Sequence, residues 1–248
     1  MPLIDRSLRP WKVTQEGKAF YEGSRSVVEK YYELETEIKG LHNTVTSSLN
    51  VACIYSVGLR HMNRFVKKFS TIFPQVRINL EYLHPDQIYE RIQKDTIDIG
   101  VVSFPRSDRN ITVIPWHSEL MVIVTCNRHR FVRKKKITLP EIEGEKFIGF
   151  DKGLIIRKEV DRFLRSHAVD PKVIMEFDNI ESIKRAVEVG TGISILPLPT
   201  LENEIKTGML HPINMMAEEF RRPLALIHRR GKIINNNILE FIKYLIRE

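Results

Sequence analysis

Cysteine is scarce in this sequence, with only Cys53 and Cys126 among 248 residues. Two thiols are too few for the disulfide frameworks that stabilise small secreted domains. Long apolar runs are missing as well, because none approaches the roughly 18–20 residues needed to span a membrane. The opening residues 1–6 lack the apolar stretch of a secretory signal. These absences predict a cytoplasmic protein with reduced thiols and no membrane partner.

Motifs for catalysis and for cofactor binding are not found either. The sequence has no GxSxG elbow, no Walker loop, no GxGxxG fingerprint and no metal-spaced cluster of His and Cys. Several histidines are isolated from other reactive side chains: His129, His167, His211 and His228. We therefore expect no enzyme activity, no cofactor and no metal site.

Positive charge is abundant but unevenly placed. The formal net charge is +8, yet residues 1–40 hold seven Lys or Arg and seven Asp or Glu. The excess lies in the body of the chain, in residues 128–136, 221–222 and 229–232. Such an excess favours contact with nucleic acid or anionic metabolites, although a basic run is also typical of a solvated surface.

Residues 17–42 have the pattern of one long helix. From Val27 onward its apolar side chains recur in steps of four, three, four and three, which is a heptad seam and not a broad core stripe. A narrow seam on an otherwise charged helix predicts dimerisation, although packing against the body of the same chain is an alternative. The predicted seam consists of Phe20, Val27, Tyr31, Leu34, Ile38 and Leu41.

After residue 48 the pattern changes to alternating strands and helices. Predicted strands at 49–55, 76–83 and 97–102 are separated by helices at 59–73 and 85–93. A strand at 119–125 precedes a second set: strands 146–150, 173–177 and 193–196, with helices 157–166, 180–189 and 199–207. A strand at 224–228 and a helix at 235–246 close the chain. Largely apolar strands joined by helices indicate a parallel sheet covered on both faces.

These elements predict an α/β fold of two lobes, similar to periplasmic binding proteins, in which the chain crosses between lobes near residues 121–126 and 222–228. A ligand is expected beyond the carboxyl ends of the parallel strands, in the crevice. An exported solute-binding protein shares this fold, but it needs a signal peptide and no dimerisation helix. An enzyme on the same fold is the other alternative.

Several motifs, in their order and spacing, resemble LysR-type transcriptional regulators. Residues 2–17 resemble the end of the winged helix-turn-helix domain of that family, and its "LT-x-x-G" motif corresponds here to Val13-Thr-Gln-Glu-Gly17. Thr96-Ile-Asp-Ile-Gly100 is similar to "g.iDlgi". Ala186-Val-Glu-Val-Gly-Thr-Gly-Ile-Ser-Ile-Leu-Pro197 is similar to "aV.aG.Gia.lP".

The resemblance implies a domain plan. Residues 1–16 are expected to be a wing remnant and 17–42 the linker helix. Residues 48–123 with 223–248 form lobe I, and 124–222 form lobe II. Arg6, Arg9 and Lys12 of the wing remnant are expected to touch DNA phosphates without reading bases. The recognition helix of the family is not in this sequence, so the alternative function is a dimeric metabolite sensor without sequence-specific DNA binding.

An effector site is expected at the strand-to-helix junctions. The first junction contains Ser56, Val57 and Gly58, where a helix N-terminus attracts anions. Ser56 as a plain helix cap is the alternative, and His84 is also interpretable as an exposed loop residue. The remaining candidates follow from topology alone: His84, Ser103, Thr125, Asp151 and Asn179. Cys53 and Cys126 are expected to be buried structural thiols.

The resemblance also implies partners. A small, anionic effector shifts the population of conformations, and a homodimer or homotetramer transmits the change to promoter DNA and RNA polymerase.

Overall fold

The computed structural model describes residues 2–5, 7, 11–40, 47–106, 108–216 and 219–247. The first half consists of β1 (Ile4–Asp5), β2 (Lys12–Val13), α1 (Gln15–Gly40), β3 (Ser47–Cys53), α2 (Tyr55–Val57), a π-helical turn (Gly58–Met62), α3 (Asn63–Ile72), β4 (Val76–Tyr82), α4 (Pro85–Gln93), β5 (Ile99–Ser103) and β6 (Ile111–Cys126).

The second half begins with β7 (Lys136–Ile137), a 3₁₀ turn (Leu139–Ile142), β8 (Lys146–Phe150), α5 (Ile155–Ser166), β9 (Lys172–Phe177), α6 (Ile180–Glu188) and β10 (Ser194–Pro197). It ends with a 3₁₀ turn (Leu198–Leu201), α7 (Glu202–Lys206), β11 (Leu210–Met215), β12 (Arg221–Arg229) and α8 (Asn236–Arg247).

The chain divides into two compact units, of which the first comprises Met1–Leu49, Lys68–Asn79 and Gly231–Glu248. Here Thr14 starts α1, because its Oγ1 accepts a 2.9 Å hydrogen bond from the amide of Gly17. A Cβ at Gly17 would lie 2.0 Å from the carbonyl oxygen of Leu3, so this position of the wing motif needs glycine. At the other end of this unit, the rings of Phe69 and Phe241 meet edge to face at 5.0 Å.

The second unit, Asn50–Lys67 and Leu80–Arg230, is built on a mixed sheet. Strand β3 is parallel to β5, and β5 is antiparallel to β12. Strand β12 is antiparallel to β6, which pairs with β10 and β11 farther along. Strands β8 and β9 form a separate parallel pair. The parallel sheet expected from the strand pattern is therefore interrupted by antiparallel strands.

Strand β6 connects two sets of partners. Its residues 111–120 pair with β12, and its residues 121–126 pair with β10 and β11. The exchange falls at Met121, whose amide donates a 2.9 Å hydrogen bond to the carbonyl of Phe220. Beyond this point a continuous apolar core packs Met121–Val124 of β6 with β8, α5, α6 and β10. The α/β architecture predicted for this region is confirmed.

Some element bounds differ from the prediction. Strand β6 begins at Ile111 and not near residue 119, because Pro115 and the half-buried residues around it conceal the pattern of a strand. Strand β11 was not predicted, since Pro212 lies inside it. The first helix of the second unit begins at Tyr55, four residues before its predicted start.

Candidate functional site

A cavity of about 410 Å³ lies in the second unit, where the ends of strands meet the starts of helices. The first residues of three helical segments line it, together with the last residue of β5 and one residue of β12. Its lining includes Tyr55, Ser56, His84, Gln87, Ser103, Phe150, Asn179, Ile180 and Arg222. Strand ends and helix starts are where ligands bind in open α/β sheets.

The junction after β3 is held by the neighbouring strand. The amide of Ile54 donates to the carbonyl of Val101 at 3.1 Å, and the Ile54 carbonyl accepts from Val57 and Gly58. Within the described part of the chain, the amides of Tyr55 and Ser56 have no hydrogen-bond acceptor. Tyr55 and Ser56 both line the cavity, so two backbone donors of a helix start lie at its wall.

Arg222 contributes a buried positive charge to the cavity lining, which also contains the acidic residues Asp178 and Glu181. Its side chain is 1% exposed, and its Nη1 donates to Ser56 Oγ at 3.0 Å. Its Nε donates to Glu119 Oε2 at 2.8 Å, and Glu119 is also buried. This pair joins β12 to β6 within the region where the two strands are hydrogen-bonded. Although Arg222 belongs to one of the basic segments of the sequence, its guanidinium lies in the interior.

Glu119 is ionised despite its burial. Burial raises its pKa, but hydrogen bonds and charge from His61 and Arg222 outweigh this effect and leave the pKa below 4.5. Burial acts to lower the pKa of Arg222, while Glu119 opposes that shift. A guanidinium remains protonated under such conditions, so we treat the pair as ionised.

His61 extends this network away from the cavity. Its Nε2 lies 3.1 Å from Glu119 Oε1, and its ring lies 5.9 Å from that of Trp116. The His117 ring lies against that of Trp116, tilted by 40° with ring centroids 4.4 Å apart, and burial beside His61 lowers the pKa of His117. A second cavity of about 270 Å³ is lined by His61, His117 and Glu119. Arg222 and Glu119 therefore lie between the two cavities.

Two other helices begin at the cavity of about 410 Å³ that contains Ser56. His84 caps α4 through Nδ1, which accepts from the amide of Asp86 at 3.4 Å. Asn179 caps α6 through Oδ1, which accepts from Ser182 at 2.8 Å. Ser103 ends β5, and among the described residues its hydroxyl has no hydrogen-bond partner. Each helix start contributes a positive partial charge beside the cavity.

The predicted effector residues separate into two groups. Four of them line the cavity together: Ser56, His84, Ser103 and Asn179. Four others do not line it: Val57, Gly58, Thr125 and Asp151. The structure thus brings half of the predicted residues to one place, and their role toward an effector stays a prediction.

Structural roles account for three of the residues outside the lining. Val57 is fully buried, and a Cβ at Gly58 would lie 2.2 Å from the ring of Tyr82, so glycine permits the close helix packing. Asp151 Oδ1 accepts from the amide of Gly153 at 2.8 Å in an exposed turn. Thr125 is buried in β6, and its Oγ1 has no partner among the described residues.

Sequence reasoning missed Arg222, Tyr55 and Gln87 as cavity residues. Arg222 stands beside a second arginine at the start of a strand, a pattern that does not separate a buried cation from an exposed one. Its partner is 103 positions away, and no local signal joins Glu119 to it.

The residues predicted for DNA contact and dimerisation are only partly described. Lys12 lies exposed in β2, while Arg6 and Arg9 fall outside the described residues. Four seam residues of α1 are at least half exposed: Phe20, Val27, Tyr31 and Leu34. The side chain of Ile38 and the residue Leu41 lie outside the described part. An exposed apolar seam is compatible with a partner helix, and dimerisation stays a prediction.

Both cysteines are free and buried. Burial raises the pKa of the Cys53 thiol to about 12. Among the described residues, no group of His, Cys, Asp and Glu is arranged to hold a metal ion. In the same part of the chain, no helix combines the length and apolar character needed to cross a membrane.

The model of the LysR substrate binding domain family matches residues 42–248. The chain belongs to this family. Among LysR-type relatives, the HTH-type regulator CysL of Bacillus subtilis is 22% identical over 226 residues, which cover 91% of this chain and 76% of CysL. The HTH-type activator CmpR of Synechocystis is 26% identical over 245 residues, which cover 99% and 80% of the two chains.

Solved structures of LysR-type proteins share the fold. The CcmR regulatory domain of Synechocystis in complex with 2-PG superposes with a TM-score of 0.75 and 25% identity, over 81% of this chain and 96% of that one. An H2O2-bound OxyR mutant of Corynebacterium glutamicum gives 0.74 and 18%, over 100% and 78%. The predicted membership of the LysR-type family and the predicted fold are confirmed.

Proposed function

We propose that this LysR-type regulator binds a small anionic effector in the cavity lined by Ser56, Ser103 and Arg222. The observation that carries the proposal is that Arg222 and Ser56, joined by a 3.0 Å hydrogen bond, line the cavity together where α2 begins. Positive helix ends and a guanidinium favour carboxylates and phosphates. A neutral ligand leaves these donors without an ionised acceptor.

The net field at this cavity depends on more than Arg222. Glu119 neutralises much of the guanidinium charge, and Asp178 and Glu181 also line the cavity. The helix starts at Tyr55 and Ile180 therefore supply the attraction that remains. This arrangement favours an anion of one or two charges, held by several hydrogen bonds, over a highly charged one.

The domain plan is part of the proposal. We assign residues 48–123 and 223–248 to lobe I and residues 124–222 to lobe II. The exchange of β6 partners at Met121 and the continuous core of β6 with β8 and β10 support this division. An effector that contacts both Ser56 and Asn179 then favours one arrangement of the lobes over others.

The exposed apolar seam of α1 supports a role for this helix in transmitting the effector-induced change to DNA. Paired α1 helices of a homodimer or homotetramer carry the change to the DNA-binding domains, and Arg6, Arg9 and Lys12 contact phosphates there. The altered assembly changes the bending of promoter DNA and its contact with RNA polymerase. We place this action in the cytoplasm, and we assign the chain a binding role and not a catalytic one.

A thermal-shift panel tests the proposed effector class. Carboxylates and phosphates are compared with neutral analogues of the same size. A ligand at one hundred times its Kd adds about 2.7 kcal/mol to the free energy of unfolding. We expect stabilisation by anions only, lost in Ser103→Leu, which fills the cavity. Stabilisation by neutral analogues alone, or equal stabilisation of the variant, contradicts the proposal.

A further inference from the structure

A rigid cationic turn lies on the second unit, away from the effector cavity. It spans residues 127–136, between β6 and β7, and contains six Lys or Arg and no acidic residue. Phe131 is 2% exposed and anchors the turn to the core. Three of its amides, those of His129, Val132 and Lys134, donate to carbonyls three residues earlier at 2.8–3.2 Å. The backbone of the turn is therefore fixed by its own hydrogen bonds.

Two of the six cations are occupied within the protein. Arg130 Nε donates to Glu145 Oε1 at 2.7 Å, and its guanidinium lies 4.4 Å from the centroid of the Phe131 ring. Lys134 forms an ion pair with Glu141. These contacts fix the turn and neutralise part of its charge.

The other four cations are exposed and, among the described residues, have no acidic partner: Arg128, Arg133, Lys135 and Lys136. The neighbouring strand pair adds two more. Lys146 follows Glu145, the partner of His129 and Arg130, and lies directly opposite Lys172 in the pairing of β8 with β9. Like charges at opposed positions destabilise a sheet, so this pair costs stability and adds to the surface charge.

We propose that this basic patch, defined as Arg128, Arg133, Lys135, Lys136, Lys146 and Lys172, contacts the phosphate backbone of duplex DNA. The effector-binding part of the chain then adds a sequence-independent contact of its own. This inference goes beyond the proposed effector site and uses none of its residues.

The composition of the patch favours DNA over a protein partner. Protein interfaces are centred on aromatic or aliphatic anchors and are depleted of lysine. Here Phe131 is buried, Val132 is half-buried, and the exposed side chains of the turn are polar. Phosphate contacts need only fixed positive charge, which this turn supplies, and they carry no base specificity.

The test measures fluorescence anisotropy of a duplex of unrelated sequence across a salt series. The patch variant carries Gln at Arg128, Arg133, Lys135 and Lys136. A matched control removes the same charge from scattered exposed positions, with Gln at Arg64, Arg77, Arg109 and Lys158. Thermal unfolding verifies that both variants fold.

Each phosphate contact contributes about 0.9 to the slope of log K against log salt. We expect the magnitude of the slope to fall by about 3.6 in the patch variant and its affinity at low salt to fall more than tenfold, while the control changes little. The loss should persist when Lys12→Gln removes the described wing cation. Equal binding by patch variant and control overturns the proposal. A patch variant that loses binding to polyglutamate but keeps binding to DNA overturns it too, in favour of an acidic protein.

Discussion

Arg222 and Ser56 are joined by a 3.0 Å hydrogen bond from Nη1 to Oγ, although 166 positions separate them in the chain. The same guanidinium holds Glu119 on β6. One buried side chain thus connects the wall of the proposed effector cavity to the strand that exchanges its partners at Met121. A ligand that draws Ser56 or Arg222 toward itself acts directly on that strand.

Removal of the guanidinium should destabilise the fold strongly. Arg222→Ala leaves the Glu119 carboxylate buried without its main partner, and breaking such a pair costs about 3–5 kcal/mol. Arg221→Ala is the matched control, since that side chain is exposed and its surface contacts contribute less than about 1 kcal/mol. Urea denaturation of both variants measures the difference. Similar free energies of unfolding would show that the pair is not structurally important.

The Glu119 pair should also give a pH-dependent stability. The pKa of Glu119 in the folded chain is below its ordinary value of 4.5, so the unfolded chain holds this proton more tightly. Its stabilising contribution is fully present above about pH 4.5 and is lost as the pH falls through the folded-state pKa. The difference in unfolding free energy between the wild type and Glu119→Gln should shrink on acidification. A difference that is constant from neutral to acidic pH contradicts this account.

Sequence patterns were sufficient for the architecture of the second unit because its helices are strongly amphipathic. Helix α4 and strand β8 have the predicted bounds, and Pro85 and Asn179 stand at the predicted starts of α4 and α6. The polar pairs were not predictable. The register that brings Arg222 near Glu119 depends on the pairing of β12 with β6, which no local pattern encodes.

The candidate site could also be predicted only in part from the sequence. Ser56, His84, Ser103 and Asn179 were found because strand ends and helix starts converge by topology. Thr125 fails to line the cavity because β6 continues past the exchange into the core, so its end points elsewhere. Predicting that required knowing that β6 has 16 residues and two sets of partners.

Helix α1 should control assembly. Val27→Glu with Leu34→Glu places two carboxylates in the seam, whose side chains are 69% and 53% exposed in the single chain. We expect dissociation to monomers in sedimentation velocity, because burying unpaired charges between helices is unfavourable. Ala19→Glu with Ser26→Glu adds the same charge on another face and should leave assembly unchanged. If both double variants assemble like the wild type, the seam is not the dimer contact.

The Cys53 thiol should be unreactive in the folded protein. Its pKa of about 12 leaves about 0.01% of it as thiolate at pH 8. In a Cys126→Ser variant, alkylation by iodoacetamide should be more than about 100-fold slower in the native state than in denaturant. Rapid alkylation of the native protein would contradict the structural role assigned to this thiol.

The Ser56 hydroxyl should contribute to effector binding. Ser56→Ala removes one hydroxyl acceptor of Arg222 and one donor to the ligand. We expect the free energy of effector binding to weaken by about 1 kcal/mol, which is roughly five- to tenfold in Kd. Calorimetry with the anion that stabilises the protein most measures this loss. Ser118→Ala, near the second cavity, serves as control. An unchanged Kd for Ser56→Ala places the ligand elsewhere.

The most direct test of the account is a crystal structure of the chain with that anion bound. We predict that its charged group lies within hydrogen-bond distance of Ser56 Oγ and of the Tyr55 and Ser56 amides, in the cavity that Ser103 also lines. Density for the anion in the cavity beside His61 and His117, with the Ser56 cavity empty, would contradict the central claim.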